Sequence, residues 1–73
     1  MIDEKEILKL KKIGDNIRKE RLKKNLSQAN VAHEMKTSTK QFQRIENGEL
    51  NTGVISIYKI CKILNITIEK VLK

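Results

Sequence analysis

Apolar side chains recur along most of this chain at intervals of three and four residues, the period of an amphipathic helix. Leu10, Ile13 and Ile17 set the first stripe. They predict a helix that begins between Asp3 and Leu10 and runs to about Lys24. Asp3, Glu4 and Glu6 suit the positive end of its dipole, and Lys23 and Lys24 the negative end. Asn25 then stands where a left-handed residue would stop the helix, a conformation Asn tolerates better than most residues. Ser27 is an N-cap for a second helix, with Val31 and Met35 on one face and Leu26 stapled to Val31. Ser38 caps a third, with Gln41 at the capping-box spacing, Phe42 and Ile45 turned inward, and Asn47-Gly48 as the stop. A fourth helix is expected to open at Thr52 or Asn51, carry Val54, Ile57, Cys61 and Leu64 as its stripe, and close at Asn65. Thr67 caps a short fifth helix stapled by Ile66 and Val71.

Strand-like alternation is confined to Val54–Tyr58, which fits a helix equally well, and the chain has no proline. The fold class is therefore all-α. There is no internal repeat or low-complexity segment, and 73 residues leave room for one domain. Only 38% of residues are hydrophobic, and Phe42 and Tyr58 are the sole aromatics, so Ile, Leu, Val and Met must build the core. Cys61 has no second cysteine to pair with, and Cys61 with His33 does not complete a zinc site. No metal or cofactor is expected; Cys61 reads as a small core hydrophobe and His33 as a surface residue. No apolar run approaches the roughly 20 residues needed to span a bilayer. The first residues lack the apolar stretch of a secretory signal, so a cytoplasmic location is expected. A phosphate loop, a His-Glu-x-x-His pair and a nucleophile with its base are all missing, which argues against an enzyme.

Charge narrows the choice further. A formal net charge of +7 favours an anionic partner, nucleic acid above all. The excess is not a detachable tail. Residues 1–36 carry ten basic and six acidic side chains, and residues 37–73 carry six and three. More informative is where charge falls on the third helix. With Phe42 and Ile45 facing inward, Lys40, Gln43, Arg44 and Asn47 gather on the outer side, Thr39 at the exposed start and Gln41 on a flank. Donors, acceptors and cations without an acid form the set that base edges in a major groove require. A solvated helix face would also be polar. The preceding short helix and the tight link Lys36-Thr37-Ser38 make the difference, because together they form a helix-turn-helix candidate with residues 38–47 as its recognition helix. Arg21, one turn beyond Ile17, and Glu46, one turn beyond Phe42, both lie on inward stripes. Two opposite charges so placed should pair, since either alone would be severely penalised by desolvation. The alternative is that both side chains reach out to water.

The stretch from Leu26 to Gly48, LSQANVAHEMKTSTKQFQRIENG, resembles without gaps the helix-turn-helix of the phage lambda repressor and Cro family. Gln28 opens the motif, Ala32 holds its small-residue position, and Arg-Ile-Glu-Asn-Gly (44–48) is among the family's most recognisable strings. The resemblance continues through Ile57–Leu72 and covers roughly residues 13–72, leaving 1–12 as an extension of helix one or an arm. It implies a compact five-helix domain that binds double-stranded DNA, usually a transcriptional regulator. It implies base contacts from Thr39, Lys40, Gln41 and Arg44, with Gln43 as a further candidate; Asn47 is a DNA-contact candidate from its place on the outer side alone. Gln28 would touch a phosphate or support the recognition helix, and Arg21 with Glu46 match the family's buried ion pair. Lys36 departs from the pattern, standing where the family prefers Gly, and Asn25 and Asn65 replace two other glycines. The reading that follows is a repressor acting as a homodimer on half-sites about 34 Å apart. Ile55, Ile63, Ile68 and Leu72 are candidates for its dimer surface, with Tyr58 either there or at the core edge. An antitoxin that also holds a toxin, or a protein-interaction module on the same fold, are the alternatives. Richness in Ile, Lys and Asn suggests an AT-rich bacterial or phage genome.

Overall fold

The computed structural model describes residues 3–49 and 53–73. Within them the chain forms five helices: α1 (Glu4–Lys23), α2 (Gln28–Met35), α3 (Thr39–Glu46), α4 (Val54–Leu64) and α5 (Ile68–Leu72). Each begin is set locally. Asp3 accepts the Glu6 amide at the head of α1, and Ser38 accepts the Gln41 amide at the head of α3. At α2 the box is complete: the Asn30 amide donates to Ser27 Oγ while the Ser27 amide donates to Asn30 Oδ1, each at 3.0 Å. The expected openings of α4 at Asn51 or Thr52 lie outside the described residues, and Gly53 is the N-cap, with no side-chain bond. Thr67 occupies the N-cap of α5, also without a side-chain bond.

The ends share one device. Asn25, Lys36, Gly48 and Asn65 all have positive φ, from 56° to 72°, and sit where α1, α2, α3 and α4 stop. At each, the next amide folds back on the helix: Leu26 to the Arg21 carbonyl, Thr37 to Ala32, Glu49 to Arg44 and Ile66 to Cys61. These are Schellman-type closures, which satisfy carbonyls that a helix end leaves open. Lys36 does this at φ 60°. The turn therefore keeps its left-handed geometry although a Cβ there costs on the order of 1 kcal/mol.

One cluster forms the core: Ile17, Val31, Ala32, Phe42, Ile45, Ile57, Ile60, Cys61, Leu64 and Val71. Ile13, Leu26, Met35, Ile63, Ile66 and Ile68 pack around it, half-buried. α1 is the spine, resting on α3, α4 and α5, while α2 bridges α3 and α4. The α4 stripe differs from the expected one. Val54 is 66% exposed, whereas Ile60 is fully buried. The inward row is thus Ile57, Ile60, Cys61 and Leu64, because α2 and α1 reach α4 only after its first turn. Cys61 lies in that row, and burial pushes its thiol pKa up. Asn16 ties the chain's end to α1 by donating to the carbonyls of Val71 at 2.9 Å and Lys73 at 3.2 Å.

α1 and α3 touch backbone to backbone. A Cβ on Gly14 would collide with the carbonyl oxygens of Glu46 and, at 2.6 Å, Ile45. One turn earlier, a Cβ on Gly48 would stand 2.7 Å from Lys11 Cα. Gly14 therefore lets α1 lie directly on the last turn of α3. Gly14→Ala should destabilise the protein by about 1–3 kcal/mol through overpacking, despite alanine's helix preference of about 1 kcal/mol. Lys36→Gly should act in the opposite sense, adding a few tenths to about 1 kcal/mol, since relief of left-handed strain is partly offset by a floppier unfolded chain. Urea unfolding curves compare both with the parent: the midpoint falls for the first and rises for the second.

Candidate nucleic-acid interface

α3 is an eight-residue helix with two unlike sides. Phe42, Ile45 and Glu46 are buried, and Thr39, Lys40, Gln41, Gln43 and Arg44 are exposed. Ser38 and its bond to the Gln41 amide fix the first turn. Among the described residues, neither Lys40 nor Arg44 is paired with an acid. The exposed side thus presents cations, amides and a hydroxyl with their hydrogen-bonding groups open to a partner.

The buried side is held by Glu46, a carboxylate with 1% exposure. Arg21, 7% exposed, grips it side-on: Nε donates to Oε2 at 2.7 Å and Nη2 to Oε1 at 3.1 Å. The remaining Arg21 nitrogen, Nη1, donates to the Leu26 carbonyl at 2.8 Å, so the same side chain fixes the entry to α2. Gln28 donates from Nε2 to Glu46 Oε1 at 2.9 Å. Arg18 adds a longer contact, its Nε 3.8 Å from the same oxygen. Among the described residues no buried side-chain nitrogen or oxygen lacks a partner. The charge is buried at no loss of hydrogen bonding, the condition under which a buried pair is tolerated.

The other end of α3 is tied down as well. Arg18 Nη2 donates to the Glu46 carbonyl and to Asn47 Oδ1, both at 3.3 Å. Asn47 Nδ2 in turn donates to Glu49 Oε1 at 3.2 Å. Asn47 therefore has both ends of its side-chain amide engaged within the domain. Gln28 likewise points at Glu46. Of the residues proposed from sequence for DNA contact, Thr39, Lys40, Gln41, Gln43 and Arg44 share the open side of α3, and Gln28 and Asn47 belong to its support. Arg18 and Gly14 were not among the expected residues. The signal for Gly14 was present: a glycine inside a long helical pattern commonly marks a close approach. Arg18 had none, because one of many basic residues on α1 does not declare its partner.

Comparison with known proteins accords with this geometry. The sequence profile of the helix-turn-helix family matches residues 17–71, three quarters of the chain. The chain belongs to the helix-turn-helix family. Among solved structures, it is similar to the restriction-modification controller protein C.AhdI from Aeromonas hydrophila, at 27% identity and a TM-score of 0.80. That match covers 85% of this chain and 94% of C.AhdI. The clp gene regulator ClgR from Corynebacterium glutamicum superposes with a TM-score of 0.82 at 19% identity, over 85% of this chain and 66% of ClgR, and shows the shared fold. No curated protein matches the sequence. Family membership makes this helix-turn-helix chain a DNA-binding domain of the transcription-regulator kind. No helix among the described residues is long and apolar enough to cross a membrane.

The ion pair gives a direct stability test. Arg21→Met should cost about 3–5 kcal/mol, because it leaves the Glu46 charge buried without its main partner. Replacing both residues by aliphatics (Arg21→Met with Glu46→Leu) should recover most of that loss. Urea unfolding of the two single variants and the double variant measures the coupling; additive losses would contradict it.

Proposed function

We propose that α3 lies in the DNA major groove and reads base edges with Thr39, Lys40, Gln41, Gln43 and Arg44. The observation that supports this most directly is the division of α3 into a clamped side and an open side. Glu46, Arg21, Gln28 and Arg18 fix the helix from behind and at its C-terminal end, so its N-terminal turns are offered rigidly. Bidentate recognition of guanine suits Arg44 and Lys40, and adenine suits Gln41 and Gln43. Gln28 and Asn47 act through α3 and not on the bases. The surface lysines of α1 supply non-specific attraction, which positions without specifying sequence.

The protein acts as a homodimer. One eight-residue helix spans only a few base pairs, and symmetric half-sites about 34 Å apart are the usual arrangement for this motif. The patch that suits the contact is Val54, Ile55 and Tyr58, all exposed and on adjoining positions of the first turns of α4. Ile63 and Ile68, considered from sequence, are half-buried against the core and contribute less. The regulatory outcome we favour is repression, since a dimer occupying an operator excludes other proteins from it without needing further contacts. The regulators C.AhdI and ClgR, one a controller of restriction-modification and the other a clp gene regulator, are consistent with a control role.

Selection of bound duplexes from a random pool would give the site, its symmetry and its spacing. On that site, fluorescence anisotropy should show Arg44→Ala losing about 1–3 kcal/mol and relaxing preference at one position. Affinity should fall with salt at a slope of roughly −0.9 per phosphate contact. Binding indifferent to both Arg44 and salt would refute the reading.

A further inference from the structure

The first two turns of α1, ahead of Leu10, contribute no residue to the core cluster. They run ahead of Ile13, the first residue of α1 packed on the cluster, and of residue 17, where the family match begins. Yet they are strongly two-sided. At about 100° per residue, Asp3 and Glu4 fall one turn ahead of Ile7 and Leu8 on one face, while Lys5 and Lys9 fall on the other. Leu8 is 65% exposed and points away from Ile17. This is an acidic, aliphatic face on which Ile7 is also exposed, at 39%.

Its chemical counterpart lies on the seam between α2 and α4. Glu34, Met35, Lys36, Lys59, Lys62 and Ile63 line a hollow of about 300 Å³. Met35 and Ile63 are half-buried and give it an apolar floor, and the lysines stand exposed at its rim. None of those lysines is paired with an acid among the described residues. The hollow opens on the α2 flank of α4. Tyr58, in the proposed dimer patch, lines a second hollow on the α5 flank with Ile66, Thr67 and Ile68, and Lys62 stands on the ridge between the two. Phosphate recognition alone would not call for an apolar floor.

We infer that the acidic, aliphatic start of α1 docks into the lysine-rimmed α2–α4 hollow of a second copy of this chain. Leu8 and Ile7 cover Met35 and Ile63, and Asp3 and Glu4 meet Lys59 and Lys62. Because the two surfaces differ, the contact is heterologous and links molecules head to tail, extending an assembly where the α4 patch closes one. Its small area makes it weak and dependent on salt. On DNA it would connect neighbouring bound molecules, though it needs no DNA to form.

Charge reversal tests it, with Asp3 left in place because it caps α1. Sedimentation of the full chain at low salt should show mass rising with concentration beyond any salt-resistant dimer. Lys59→Glu with Lys62→Glu should abolish that rise, and so should Glu4→Lys. Mixing the two variants, or combining all three changes in one chain, should restore it. Leu8→Ser, at an exposed position, should weaken the association and leave the unfolding midpoint unchanged. Failure of the mixture and the combined chain to associate would overturn the inference, as would association untouched by the reversals. If Lys59→Glu with Lys62→Glu instead lowers affinity for an isolated short duplex and leaves self-association intact, the lysines are phosphate contacts and the inference falls. Neither result bears on base reading by α3, which is judged by Arg44.

Discussion

The orientation of α3, and with it of the open side that this domain presents, depends on one buried carboxylate. Glu46 sits at the last residue of α3, and its side chain is the point where three elements agree on their positions. Arg21 brings α1, and through the Leu26 carbonyl it brings the entry to α2; Gln28 brings the first turn of α2 itself. An apolar contact at that place would hold the helices together but let them slide, because burial is indifferent to direction. A bidentate guanidinium–carboxylate pair tolerates little rotation. The gain is orientation, and orientation is what a recognition helix needs.

The same end of α3 carries the constraint that admits α1 so closely. Gly14 has no Cβ, so the backbone of α1 can lie against the carbonyls of Ile45 and Glu46, and Arg18 then reaches the Glu46 carbonyl from one turn further on. Gly48 repeats the arrangement beyond the helix end, beside Lys11, while closing α3 with a left-handed turn. Anchoring at the C-terminal end, with Phe42 seated in the core, leaves Thr39, Lys40 and Gln41 of the N-terminal end exposed. A short helix held at one end and open at the other is a lever whose angle is fixed by its anchor.

Much of this was legible in the sequence, and for stated reasons. Helix ends are local: Ser27, Ser38, Asn25, Gly48 and Asn65 act through bonds within a few residues, so their positions could be read directly. Arg21 and Glu46 could be paired because a charge on an inward stripe leaves few other options. Ile57, Cys61 and Leu64 of the expected α4 stripe are buried as their spacing implies. Val54 has a suitable angle but is 66% exposed, because periodicity gives an angle and not the depth at which neighbours begin to cover it, and Ile60 joins the buried row instead. Arg18 has one local partner, Asp15 at 3.6 Å, but its bonds to α3 reach residues 28 and 29 positions away, beyond anything a helical wheel contains.

Gln28 and Asn47 show most clearly where a pattern stops being informative. An amide offers one donor group and one acceptor group, which suit a base edge, a phosphate, a carboxylate or a guanidinium equally. Residue type therefore could not distinguish a group that reads DNA from one that holds the reader. The neighbours decide. Asn47 lies between Arg18 and Glu49, and Gln28 faces a buried carboxylate that would be less fully satisfied without it. For either amide to turn to DNA, it would have to surrender charge-assisted bonds, which are about twice as strong as neutral ones. Among the described residues, Lys40 and Arg44 have no such bonds to give up. Under the proposed reading, specificity falls to the side chains of α3 that the fold leaves uncommitted.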